Sequence, residues 1–171
     1  MSKEKMVLAF DQARTSGFAY GRLGSDPKSG IIKIGKHDSK EHLYWLYQVE
    51  LGRLVDRVQP DVVAMELPFF NRKRPTAAVD LYHAAGAVKA MLYDRRVSEV
   101  LDVQNGAWKK LLCGANTFTK ETRPYPPVDA CGLRGWKTGD SNDRADALGI
   151  WLFTCNRLAP ELNLSLPIFN Q

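Results

Sequence analysis

At 171 residues the chain suits one domain, large enough to bury a core without the help of disulfides. Its hydrophobic fraction of 44% and charged fraction of 25% are ordinary for a globular protein, and no run approaches the ~18 apolar residues of a membrane span. The 24 Lys+Arg against 19 Asp+Glu give a net charge of +5, which leans toward a polyanionic partner without establishing one. Cys113, Cys131 and Cys155 are an odd set with no CxxC pair, which argues against a zinc site or a disulfide framework. The apolar run MVLAF after the charged MSKEK is too short for a signal sequence. A cytoplasmic protein with no membrane partner is expected.

The run at 6–10 ends at Asp11 and reads as a buried strand. A second strand is expected from Phe18 to Leu23, and IIKIGK (31–36) reads as a third after the turn chemistry of 24–30. Ser39 can cap a helix running to about Val58, with Leu43, Leu46, Tyr47, Leu54 and Val58 at helical spacing, and Pro60 stops it. DVVAMEL (61–67) is a second buried strand. A long helix is expected from Pro75-Thr76 to about Arg95, then a strand at 97–103 and a short helix capped by Asn105. Residues 114–141, with Pro124, Pro126 and Pro127, read as irregular. Asp140 or Ser141 then caps a last helix, NDRADALGIWLFTCN, and the tail from 157 reads as loosely packed. The order β-β-β-α-β-α-β-α, with no internal repeat, predicts one α/β domain over 1–171, a mixed sheet with helices on both faces.

The acidic residues sit in unusual places. Asp11 ends an apolar strand on the face of Val7 and Ala9, and Glu66 lies in another on the face of Val62 and Ala64. An ionised carboxylate there is costly unless paired or bound to a metal. Parallel neighbouring strands, about 4.8 Å apart, would set the two side by side. Asp143 and Asp146 are three apart on a helix face that Ala147 and Ile150 continue, so this pair points toward the sheet. Carboxylates converging in this way suit hard divalent cations such as Mg²⁺. Each also has a structural alternative: Asp11 as a strand end, Glu66 in an ion pair with an arginine, Asp143 as a partner of the helix dipole.

The segments LAFDQARTSGFAYG, PDVVAMELPFF and NDRADALGIW resemble the motifs of RuvC-type Holliday-junction resolvases, phage versions especially, and the element order is that of the ribonuclease H-like fold. The resemblance spans about residues 6–155. It implies a crossover junction endodeoxyribonuclease that resolves Holliday junctions or other branched DNA by paired symmetric nicks, with two Mg²⁺ ions per site for which Mn²⁺ substitutes. It puts Asp11, Glu66, Asp143 and Asp146 on the four metal-binding positions, and Lys109 and Lys120 on two active-site lysine positions. Prolines after Lys120 depart from the family's pattern and weaken that second match. Phe69 falls where the family places an aromatic near the junction point.

The loop PFFNRKRP offers two aromatics followed by cations, and Phe69, Phe70, Arg72, Lys73 and Arg74 suit unpaired bases and phosphates. The alternative is a Phe packed in the core beside a solvated turn. Lys110, and more weakly Arg134 and Lys137, are further phosphate candidates. The helix from 76 carries two apolar stripes: Leu81, Ala84, Ala85, Val88 and Leu92 on one side, Val79, Tyr82, Gly86, Ala90 and Tyr93 on the other. One stripe serves the sheet, and the other predicts a homodimer interface or burial under the tail or the 114–141 segment. His83, at the edge of the second stripe, has no histidine nearby and reads as packing. Rival functions are a nuclease of flaps or RNA–DNA hybrids, and a non-catalytic DNA-binding module. An actin-like phosphotransferase needs two lobes, for which the chain is too short.

Overall fold

The computed structural model describes residues 5–13, 15–68, 75–115, 118, 122, 124–139 and 141–162, with 75–77 as backbone only. Five strands, β1 (Met6–Asp11), β2 (Thr15–Arg22), β3 (Lys28–Lys33), β4 (Val62–Glu66) and β5 (Glu99–Val103), form one sheet in the order β3-β2-β1-β4-β5. The first three meander antiparallel, whereas β1, β4 and β5 run parallel. The expected mixed sheet is therefore present.

Strand alternation sorts the apolar residues onto two faces. Leu8, Phe10, Val63 and Met65 form one core with α1 (Lys40–Val58) and α2 (Pro75–Asp94). Val7, Ala9, Val62 and Ala64 form the other with α3 (Asn105–Cys113), α4 (Pro126–Leu133) and α5 (Asn142–Leu158). Burial on both faces explains why β1 and β4 read as continuous apolar runs. Ser39 accepts from the His42 N–H and starts α1, and Ser141 accepts from the Arg144 N–H and starts α5, while Asp140 lies outside the described residues. Among the described residues no helix is long and apolar enough to cross a membrane.

Three expectations are corrected. β2 and β3 both start earlier than their sequences suggest. The turn closes at once through Gly24 (φ 78°), Ser25 bonds back to the Arg22 carbonyl, and pairing resumes at Tyr20–Lys28. The ladder ends at Thr15–Lys33, so Ile34 packs on the α1–α2 core without being strand. Second, the segment 114–141 contains helix α4. Pro126 and Pro127 occupy its first turn, where a missing N–H costs nothing, and Ala130 and Cys131 are buried. Third, Asn105 does not cap α3 but is its first residue; Gln104 holds the cap position without a side-chain bond. Beyond α5 the tail continues as a 3-10 turn at Pro160–Leu162.

Two glycines let α5 reach the sheet and α3. A Cβ on Gly17 of β2 would fall on the Asp143 carbonyl, and one on Gly149 would fall on the Trp108 ring. Because Gly17 pairs with Asp11, this close approach also fixes how near the start of α5 lies to the end of β1. Gly17→Ala is expected to cost about 1–3 kcal/mol in urea unfolding, since backbone must move. Gly132→Ala, with nothing within 4 Å of its Cβ position, should stay within about 0.5 kcal/mol. Equal stabilities for the two variants would contradict this packing.

Candidate active site

The parallel register that pairs Phe10 with Met65 sets the next residues, Asp11 and Glu66, side by side at the C-terminal ends of β1 and β4. Asp146 reaches the same place from the second turn of α5. The three carboxylates line one cavity of about 220 Å³, with Gln12 and Asn105 as its other polar residues among those described and Leu67, Pro68 and Leu81 on its apolar side. Asp11 is 6% exposed and Asp146 3%. Asp143 does not line the cavity. It lies half-buried in the first turn of α5, its carbonyl packed over Gly17.

Donors from α3 and the start of α4 hold the acids in place. Asn105 Nδ2 and Trp108 Nε1 both donate to Glu66 Oε1, at 2.6 and 2.9 Å. The Tyr125 hydroxyl donates to Asp146 Oδ1 at 2.8 Å. Burial and the nearby Asp146 charge push the Tyr125 hydroxyl far above its ordinary value, so it remains a donor. None of these three partners was singled out from sequence as part of the site. Asn105 reads from sequence as a helix cap, Trp108 carries no assignment there, and Tyr125 falls in the segment that reads as irregular. Gln12 carries no such assignment either. One signal was present in the sequence: an apolar strand containing Glu66 requires donors from somewhere.

Glu66 shows what the crowding does. Its carboxyl is pushed from an ordinary 4.5 up to about 7, first by burial, then by the Asp11 charge, with Asp146 adding and the Trp108 and Asn105 donors opposing. As they stand, no three His, Cys, Asp or Glu side chains among the described residues are disposed to ligate one ion together. The donor chemistry nonetheless fits a hard cation: all-oxygen ligands, in a cavity where burial and then the neighbouring acidic charges raise the Glu66 carboxyl.

Lys109 is 8% exposed on α3, with its Nζ 5.5 Å from the centre of the Trp108 ring and 5.2 Å from that of Phe118. It does not line the cavity, while Lys110 is exposed. Lys120, Phe69, Phe70, Arg72, Lys73 and Arg74 lie outside the described residues. Arg134 stacks on Trp136 beside the β2–β3 turn, at the other end of the sheet from Asp11, and Lys137 is exposed. The three cysteines form no disulfide, and burial pushes each thiol up to about 12, leaving them unreactive. His83 is exposed and meets the Tyr44 ring edge-on.

Glu66 has a sign-definite effect on stability. Its folded-state value lies above the ordinary 4.5, so its contribution is complete below pH 4.5 and is lost as pH climbs through about 7. The metal-free protein should therefore melt at progressively lower temperature across that interval, and Glu66→Gln should flatten the profile. An equally steep profile for Glu66→Gln would sink this account of the site.

No protein-family model matches the chain, and no curated protein sequence does. Solved structures do. Thermus thermophilus RuvC superposes with a TM-score of 0.67 at 19% identity, covering 94% of this chain and 98% of that one. The same protein in complex with a Holliday junction substrate gives 0.70 at 20% identity and the same coverage. The yeast mitochondrial Holliday junction resolvase gives 0.60 at 15% identity, covering 92% of this chain and 81% of that one. At such identities the likeness is one of fold, and the chain has the ribonuclease H-like fold in the form that RuvC takes.

Proposed function

We propose that the chain is a divalent-metal-dependent endonuclease that resolves four-way DNA junctions by phosphodiester hydrolysis. The observation that carries this reading is the convergence of Asp11, Glu66 and Asp146, from three distant stretches of sequence, on one cavity at the ends of two parallel strands. The fold supports it, since one neighbour of nearly full coverage is RuvC in complex with a junction substrate.

Asp11, Glu66, Asp146 and Asp143 would together hold two Mg²⁺ or Mn²⁺ ions, with Asp11 proposed as the ligand common to both, Glu66 serving one and Asp146 with Asp143 the other. Bound there, the ions would supply activation of a water for in-line attack and stabilisation of the leaving oxygen. The chain's own residues do the rest. Asn105 and Trp108 fix Glu66, Tyr125 fixes Asp146, and the apolar wall of Leu67, Pro68 and Leu81 limits water. Lys109 provides positive charge near a phosphate that becomes more negative in the transition state, with Lys120 as its proposed counterpart. Phe69, Phe70, Arg72, Lys73, Arg74 and Lys110 are assigned to DNA contact.

A homodimer completes the reading, because a four-way junction is two-fold symmetric and needs two cuts. On α2, Ala84, Ala85, Val88 and Leu92 are buried, whereas Val79 and Tyr82 are each 43% exposed and Tyr93 is 84% exposed. Gly86 and Ala90 are exposed between them, and a Cβ on Gly86 would meet nothing within 4 Å. A second copy seated on this stripe would cover it. Gly86→Arg should convert a dimer to a folded monomer in sedimentation; a wild-type chain that sediments as a monomer rejects the interface.

The decisive assay is cleavage of a labelled synthetic four-way junction with Mg²⁺, beside linear duplex, flap and RNA–DNA hybrid. Paired nicks on opposing strands are expected. Preference for hybrid or flap would change the substrate, and no metal-dependent cleavage would leave a binding module. Asp11→Asn and Glu66→Gln should each lower cleavage on the order of a thousandfold or more. Junction affinity should hold, since losing an acid does not weaken phosphate attraction. Full activity in both variants refutes the assignment.

A further inference from the structure

Among the described residues, Gln12 is the polar residue of the cavity that the proposed chemistry has not used. It follows Asp11 directly, is 8% exposed, and lines the cavity with Asp11, Glu66 and Asp146. Both polar atoms of its side chain, Nε2 and Oε1, are buried without a hydrogen-bond partner among the described residues. A buried primary amide with neither end satisfied is unfavourable, and packing gives no reason for it, because an apolar side chain of the same length would fill the space without the penalty.

The chemistry of the amide narrows what it faces. Beside three carboxylates a lysine would be captured as an ion pair, and a fourth acid would add to the repulsion. A neutral amide does neither, yet offers two N–H groups and an acceptor oxygen. Its acidic neighbours, when ionised, offer acceptors and no donor. A group entering this cavity that presents acceptor oxygens, and arrives with its own cations, matches the Nε2 end. A DNA phosphodiester is such a group.

We propose that the Gln12 amide contacts the reacting phosphodiester directly, Nε2 donating to a non-bridging oxygen of the phosphate to be cut. This rests on the nuclease reading above and adds a substrate-contacting residue to it. The contact is neutral, so it contributes little to the long-range attraction that holds DNA, and acts by fixing one phosphate against the carboxylates.

Gln12→Met keeps the volume and removes both hydrogen-bonding ends; Gln12→Ala serves as a second variant. Three measurements on the full chain decide: single-turnover cleavage of a synthetic four-way junction at saturating protein, the Mg²⁺ dependence of that rate, and the melting temperature. Expected are a rate lower by about a hundredfold, a half-saturating Mg²⁺ concentration unchanged within about twofold, and a melting temperature equal to or above wild type. Wild-type cleavage rates in Gln12→Met overturn the proposal, as does a melting temperature well below wild type in both variants, which would make the residue structural. A Mg²⁺ requirement raised about tenfold also overturns it, placing Gln12 on the metal instead. If the wild-type chain cuts no DNA, the nuclease reading falls and this assignment with it; if wild type cuts and Gln12→Met cuts equally well, this assignment falls alone.

Discussion

Two carboxylates held side by side at the ends of adjacent parallel strands are the constraint around which this molecule is arranged. Asp11 and Glu66 follow the Phe10–Met65 pair of the β1–β4 ladder, so their spacing is set by the backbone and cannot relax without unpairing the sheet. Two charges about 5 Å apart repel by about 3 kcal/mol at an effective dielectric near 20. The raised value of Glu66 registers the cost of burial first and that repulsion second. A fold arranged only for stability would not place these groups so; the cation binding proposed for them would account for the arrangement.

The packing that holds this arrangement passes through a few residues with two tasks each. Trp108 fills the core where Gly149 of α5 leaves room, and its indole N–H fixes Glu66. Gly17 pairs with Asp11 and admits the first turn of α5, which brings the Asp143–Asp146 end of that helix to the strand ends. Tyr125 stands at the start of α4 and holds Asp146. The site is thus tied to the core on the α5 side of the sheet, and a change in that core is a change in the orientation of its acids. On the opposite side, among the described residues, Leu81 brings α2 to the cavity.

The sequence was most legible where one residue type in one pattern admits few meanings. The apolar runs of β1 and β4 and the acids within them gave the sheet, its parallel centre and the convergence of Asp11, Glu66 and Asp146. Ser39 and Pro60 bounded α1. It was least legible where a residue's role depends on distant partners. Asn105 has the chemistry of a cap and is used to orient Glu66, a choice fixed by the β4–β5 register that sets Glu66 opposite Val103, two residues before Asn105. Pro126 and Pro127 break a helix in most positions and open one here. Asp143 shares a helical face with Asp146, yet one turn of offset leaves it out of the cavity wall. The β2–β3 register was set by a tight turn that the glycine- and serine-rich stretch did not distinguish from a longer one.

Helix α2 links the two halves of the proposed function through adjacent residues. Leu81 lines the cavity, and Tyr82, next in sequence, is exposed on the stripe assigned to a second copy. A helix is about 10 Å across with its side chains, so a partner on that stripe would lie one helix-width from the acids it must be coordinated with. The inner stripe is locked into the α1–α2 core through Ala84, Ala85, Val88 and Leu92, which leaves α2 little freedom to shift under a partner's contact. The separation of two cavities across such an interface would then be a fixed property of α2. A four-way junction offers its two scissile phosphates at one separation only when its arms adopt a particular geometry. A rigid spacing between sites would therefore select junction shape without reading any base, which is the form of recognition that backbone contacts and DNA deformability provide.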